Sequence, residues 1–181
     1  PPQATLLECL NTNGYTVSGV GKISDLFDGR GIDRSVATVG NDDGMAKIVA
    51  ALADLDRGLL MANLIDFDMV YGHRQDALGF GRALEEFDVW LPQLFKAMRP
   101  DDLLVICADH GCDPTTPGSD HTREYVPALF WSKAMERGNS LGDRQSFADI
   151  AATLADYFRI PGKVAGESFI RLLGLACAVN S

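Results

Sequence analysis

Two short, almost unbroken apolar runs constrain this chain most: Leu59-Leu60-Met61-Ala62-Asn63-Leu64-Ile65 and Leu103-Leu104-Val105-Ile106-Cys107-Ala108. Neither alternates apolar and polar residues as a half-exposed strand does. Both read as strands buried on two faces, the habit of parallel sheets. Between them, residues 79–98 carry Leu84, Phe87, Leu91, Leu94 and Phe95 at helical spacing, with Pro92 predicting a kink or a division in two. Strand, helix, strand is a βαβ unit. The rest follows the same alternation. Residues 5–10 predict a helix with Thr5 and Glu8 in capping-box spacing, and 15–20 a strand. Gly-rich 21–32 predicts a loop. Asp42 or Asp43 caps a helix to about Asp56, with Ile48, Val49, Leu52 and Leu55 on one face. Residues 126–131 predict a further strand, and 147–158 and 167–175 two further helices. The fold class is therefore α/β, a mostly parallel sheet flanked by helices. In such sheets ligands bind beyond the carboxyl ends of the strands.

The length of 181 residues suits one domain with a sizeable core. A net charge of −9 offers no electrostatic footprint for nucleic acid or for an anionic membrane, so neither is expected as a partner. The same charge repels phosphorylated substrates at long range, so local cations or metal ions must reverse the field. No run of 18 apolar residues predicts a membrane span. Pro1-Pro2-Gln3-Ala4 reads as neither part of a secretory leader. The cysteines Cys9, Cys107, Cys112 and Cys177 read as reduced thiols of a cytoplasmic protein; Cys107 and Cys112 flank Asp109-His110 at a spacing that is not a zinc-knuckle pair.

Three segments carry chemistry. Asp66-Phe67-Asp68 to Gly72-His73 follows the first apolar run and sets two carboxylates and an imidazole within eight residues. Oxygen and imidazole donors together suit zinc, manganese or iron, and Gly72 permits the turn that brings His73 back to Asp68. Asp109-His110-Gly111 follows the second run, and Asp120-His121-Thr122-Arg123-Glu124 precedes the strand at 126–131. Taken singly, each has a plain alternative: a solvated loop, an Asp capping a helix beside a core histidine, and a polar loop with Arg123 paired to Glu124. Taken together they do not. The chain has only three histidines, and each lies by an Asp near a predicted strand edge. A shared metal centre accounts for all three, and five donors exceed the three or four of one catalytic zinc-type ion. Paired ions fit phosphoryl transfer.

Longer stretches around these residues resemble phosphopentomutases of the alkaline-phosphatase-like superfamily. They are Gly21-Lys22-Ile23-Ser24-Asp25-Leu26-Phe27, Asp66-Phe67-Asp68 to Gly72-His73-Arg74, and Ala108-Asp109-His110-Gly111-Cys112-Asp113-Pro114-Thr115 through Gly118-Ser119-Asp120-His121-Thr122-Arg123-Glu124-Tyr125-Val126-Pro127. The similarity runs from Pro1 to about Phe158. It implies a cytoplasmic isomerase of nucleoside catabolism that interconverts (deoxy)ribose 1-phosphate and (deoxy)ribose 5-phosphate through a phospho-Thr enzyme. It also implies two Mn²⁺ ions, one held by Asp109 and His110, the other by Asp68, His73 and His121. Lys22 falls in a segment facing the substrate, where it contacts phosphate or is a solvated loop lysine. Arg123 contacts phosphate or pairs with Glu124 or Asp120.

The departure from the family is at the front. Family members are about twice as long and begin with a strand ending in a metal-binding Asp. A phosphorylated Thr and an inserted sugar-gripping cap follow. Pro1-Pro2 matches the point of return from the cap, and no Thr here matches the nucleophile segment. Residues 1–181 are thus expected to be the C-terminal part of the metal-binding core: a fragment, a cleavage product or a truncated gene product, inactive alone, with the missing N-terminal part as partner. Two other readings remain. One is another mutase or phosphatase of the superfamily, against which residues 115–127 argue. The other is a non-catalytic metal-binding fragment.

Overall fold

The computed structural model describes residues 4–162 and 164–175. Pro1, Pro2, Gln3 and Cys177, named above, lie outside the described residues. Helix α1 (Leu6–Thr12) opens on the expected capping box: the Thr5 hydroxyl accepts from the Glu8 N–H, and the Glu8 carboxylate accepts from the Thr5 N–H. Strand β1 (Thr16–Val20) lies between β2 (Arg34–Val36) and β3 (Gly58–Ala62), parallel to both. Helix α3 (Asn41–Ala53) connects β2 to β3, and α4 (Ala77–Ala97) leads from β3 towards β4 (Leu104–Cys107). Leu7 and Leu10 of α1, Val17 of β1, and Ala155 of α5 (Ala148–Tyr157), with Ile160, form one core cluster. Tyr15 ties its edge by donating to the Phe158 carbonyl at 2.7 Å. No described helix is long and apolar enough to cross a membrane.

The structure departs from the sequence reading in several places. The strand expected at 126–131 is β5 (Ala128–Trp131), and it pairs antiparallel with β4. The loop expected at 21–32 holds a short helix, α2 (Ile23–Leu26). Pro92 neither breaks nor divides α4. Helix α3 begins after Gly40, not at an Asp cap; Asp43 instead accepts from the Val39 N–H. The helix expected at 167–175 is one 3₁₀ turn, Ile170–Leu173.

The strands form two sheets, β2-β1-β3 and β4-β5, with no ladder between β3 and β4 among the described residues. Arg99, just before β4, donates to the carbonyls of Leu55 (2.6 Å) and Asp56, just before β3. The two strands therefore start from a common end. Residues 17–20 of β1, with a partner on each side, are all buried, whereas no residue of β3 or β4 is, although both are more apolar.

Candidate metal centre

The chain leaves β3 at Ala62 because Asn63 turns inward: its N–H donates to the Val20 carbonyl, and its side-chain oxygen accepts from the Lys22 N–H at 2.9 Å. The next donors therefore sit on a π-helical turn, Phe67–Gly72, rather than directly on a strand end. This turn separates the two carboxylates of the segment. Asp66 faces back to α3, accepting from the Asn41 N–H at 2.7 Å while its own N–H donates to the Asn41 side chain. Asp68 faces the histidines. Its Oδ2 stands 3.4 Å from His73 Nε2 and its Oδ1 3.3 Å from His121 Nε2.

Beyond β4, Asp109 and His110 are followed by an isolated antiparallel bridge between Gly111 and Thr122. The Thr122 N–H donates to the Gly111 carbonyl at 3.1 Å, and its hydroxyl accepts from the Asp113 N–H at 2.7 Å. This closes the loop between them and sets His110 against His121, ring centroids 3.7 Å apart, with His73 5.0 Å beyond His121. The approach needs glycine: a Cβ at 111 would stand 2.5 Å from the Thr122 carbonyl oxygen and 2.6 Å from Glu124 Oε2. Gly111→Ala is expected to part the two histidine segments and to lower divalent-ion affinity at least about tenfold, the scale on which supporting groups act. Calorimetry on a variant with unchanged circular dichroism is the check.

A second set of bonds joins the loop before His121 to the Asp68 segment. Gln75 Nε2 donates to the carbonyls of Thr116 (3.0 Å) and Gly118 (2.9 Å), and His73 Nδ1 lies 2.5 Å from the Ser119 carbonyl. A carbonyl only accepts, so Nδ1 carries the proton of this bond, and Nε2 is the nitrogen turned to Asp68. His110 Nδ1 lies likewise 3.0 Å from the Gly111 carbonyl. Backbone carbonyls on Nδ1 and Nε2 facing inward are the usual support of an imidazole ligand.

Donor atoms of Asp68, His110 and His121 all lie within 4.8 Å of one another. Metal–donor bonds of about 2.0–2.2 Å hold two donors of one ion roughly 3–3.5 Å apart, so the separations around Asp68 suit a divalent ion after small movements. The donor set, one carboxylate among imidazoles, is one that zinc, manganese or iron accepts. Asp109 lies on the rim, its side chain 81% exposed and its Oδ1 3.6 Å from His110 Nε2. Of the five donors singled out in the sequence, Asp68, His110 and His121 thus lie mutually close, while His73 stands beside Asp68 and Asp109 beside His110 at the rim.

Lys22 reaches the cluster's edge, its Nζ 2.8 Å from the sulfur of Met69, the residue after Asp68. Arg123 is exposed and forms no ion pair with Glu124 or Asp120 among the described residues. Sequence reasoning passed over Glu124, whose carboxylate packs against Gly111, and Gln75. Glu124 entered the sequence reading only as a possible ion-pair partner of Arg123. A neighbouring hollow lined by Asp42, Asp43, Asp66 and Glu86 has no Lys or Arg in its wall and is no place for phosphate. Burial, then the carboxylates of Asp68, Glu124 and Asp113, push the Cys112 thiol up from its ordinary range.

Relatives named phosphopentomutase include those of Syntrophotalea carbinolica (59% identical over 96% of this chain and 44% of the relative) and Caldanaerobacter subterraneus (49%, over 97% and 44%). The relative from Anaeromyxobacter sp. strain K is 52% identical over 94% of this chain and 43% of its own length. The chain thus spans less than half the length of these relatives. Residues 17–162 match the family model of the metalloenzyme superfamily. That match runs over most of the chain and through all three segments that build the cluster, so the chain belongs to the metalloenzyme superfamily.

Proposed function

We propose that residues 1–181 are the C-terminal part of the metal-binding core of a phosphopentomutase, which interconverts (deoxy)ribose 1-phosphate and (deoxy)ribose 5-phosphate in the cytoplasm. The observation that carries the reading is the 49–59% identity, over nearly the whole chain, to proteins of that name. Among the described residues β3 and β4 each keep one edge without a ladder partner, which supports the core-part reading, since uncovered edges of apolar strands call for further chain to cover them.

In this reading two Mn²⁺ ions are held, one by Asp109 and His110, the other by Asp68, His73 and His121, with further ligands from outside these residues. Bound divalent ions supply positive charge that stabilises a phosphoryl group and an attacking alkoxide. This chain's own residues position and neutralise. Asp68 and Asp109 give the centre its negative charge. The backbone carbonyls of Ser119 and Gly111 orient the imidazoles. Lys22 and Arg123 present cations to the sugar phosphate at a site whose surroundings are otherwise acidic. In this reading the phosphoryl carrier, a Thr, and the cap that grips the sugar would come from outside residues 1–181.

The test is a chimaera in which this chain replaces the matching 44% of the Syntrophotalea carbinolica protein. With Mn²⁺ it is expected to convert ribose 1-phosphate to ribose 5-phosphate, while the 181-residue chain alone does not. Turnover of phosphoglycerate instead, or simple release of inorganic phosphate, would place the chain in another branch of the superfamily. Robust mutase activity by the chain alone would refute the core-part reading.

A further inference from the structure

The loop that delivers His121 is held from outside by two side chains. Among the described residues, the chain from Pro117 to Asp120 takes part in no hydrogen bonds except those that the Gly118 and Ser119 carbonyls accept from Gln75 and His73. The stretch before it is built on Asp113, whose carboxylate accepts from the Thr115 N–H and hydroxyl and from the Thr116 hydroxyl. After it comes the bridge of Thr122 to Gly111. Gln75 spans the gap between these two fixed ends. Its Nε2 donates to the Thr116 carbonyl at 3.0 Å and to the Gly118 carbonyl at 2.9 Å, one amide hydrogen to each. Gly118 has a φ of +118° and open space where a Cβ would stand, so glycine serves there for the backbone turn and not for room.

Gln75 makes these bonds from a strained backbone. Its φ is +56°, the left-handed region that favours Gly, Asn and Asp. Glycine or asparagine would make this turn more readily, but glycine carries no amide side chain and the asparagine amide is a methylene shorter. What glutamine adds is reach. Such strain persists where surrounding contacts over-determine it, and it gathers at functional sites. We propose that Gln75 is a positioning residue of the metal centre. By fixing the carbonyls on either side of Pro117, it sets the Ser119 carbonyl against His73 Nδ1 and brings His121 to Asp68 before any ion binds. It touches no donor atom of the cluster and acts through the two histidines. The proposal rests on the metal-centre reading and says what preforms that centre.

Two variants of the 181-residue chain test it. Gln75→Met keeps the side-chain length and the strained backbone but loses the donor. Gln75→Gly loses the donor and relieves the strain. Gln75 is exposed, so neither change leaves a cavity in the core, and both variants are expected to melt close to wild type without metal. Both are expected to bind Mn²⁺ about tenfold more weakly in calorimetry, the scale on which groups supporting metal ligands act. The metal-free readout is nitrogen NMR of the three imidazoles in isotope-labelled chain, above the pH range in which histidine titrates. His73 is expected as the single Nδ1–H tautomer in wild type and as a mixture of tautomers in both variants. Wild-type Mn²⁺ affinity in both variants, or an unchanged His73 spectrum, would overturn the proposal. So would a fall in metal-free melting temperature large enough to account for the weaker binding. His121→Ala separates this failure from that of the metal centre. If it abolishes Mn²⁺ binding while the Gln75 variants bind like wild type, the centre stands and the Gln75 proposal falls. If His121→Ala also leaves Mn²⁺ binding intact, both fall.

Discussion

Asp68→Ala is expected to abolish saturable Mn²⁺ binding by the chain. Asp68 stands between two imidazoles, 3.4 Å from His73 Nε2 and 3.3 Å from His121 Nε2. Its loss removes both an anionic donor and the group around which the other donors are arranged. Manganese prefers oxygen, and imidazoles alone hold it poorly. Calorimetry should find one well-defined site in the wild-type chain, with the pair Asp109 and His110 contributing weaker binding. His121→Ala should remove the same site by taking its donors from three to two. Two equally tight sites in the wild-type chain would contradict the division of ligands between the ions. Undiminished binding in Asp68→Ala would contradict the centre itself.

The second large effect is on rate. In the chimaera, Asp109→Ala is expected to lower kcat by about 10²–10³, the loss seen when one well-placed electrostatic stabiliser is removed. Asp109 is exposed at the rim beside His110, so its loss leaves no cavity in the core and the variant should fold normally. Lys22→Ala should behave differently. A lysine that holds the ground-state phosphate contributes uniform binding, so KM rises while kcat stays close to wild type. Steady-state kinetics of the two variants side by side distinguish the roles. A folded chimaera whose turnover ignores Asp109→Ala would remove Asp109 from the site.

The elements that the sequence predicted well are those whose signals are local. The capping box at Thr5 and Glu8 needs only four residues, and the helical spacing from Leu84 to Phe95 overrode Pro92, as twenty-one continuous helical residues show. The first two histidine segments were legible because the apolar runs before them mark strand ends, and the third because it stands just ahead of the run at 126–131. What was not legible depends on distant partners. Nothing in Ala128–Trp131 says that it returns antiparallel onto β4, since a buried run looks the same in either direction. Arg34–Val36 is three exposed residues with no pattern to read; its pairing with β1 decides it. Spacing alone does not say which of Asp66 and Asp68 enters the cluster; the resemblance pointed to Asp68, and a π-helical turn is what parts the two.

The split between β3 and β4 has a consequence for handling the protein. Among the described residues β3 pairs only with β1 and β4 only with β5, so each keeps an edge of backbone amides and carbonyls without a ladder partner, framed by leucine, valine and isoleucine that are only half covered. Such an edge accepts any extended chain of suitable length, including the same edge of another copy. Stored concentrated and alone, the protein should therefore thicken into β-rich aggregates at a rate that climbs steeply with dilution reversed. An apolar peptide supplied in excess should keep it in solution.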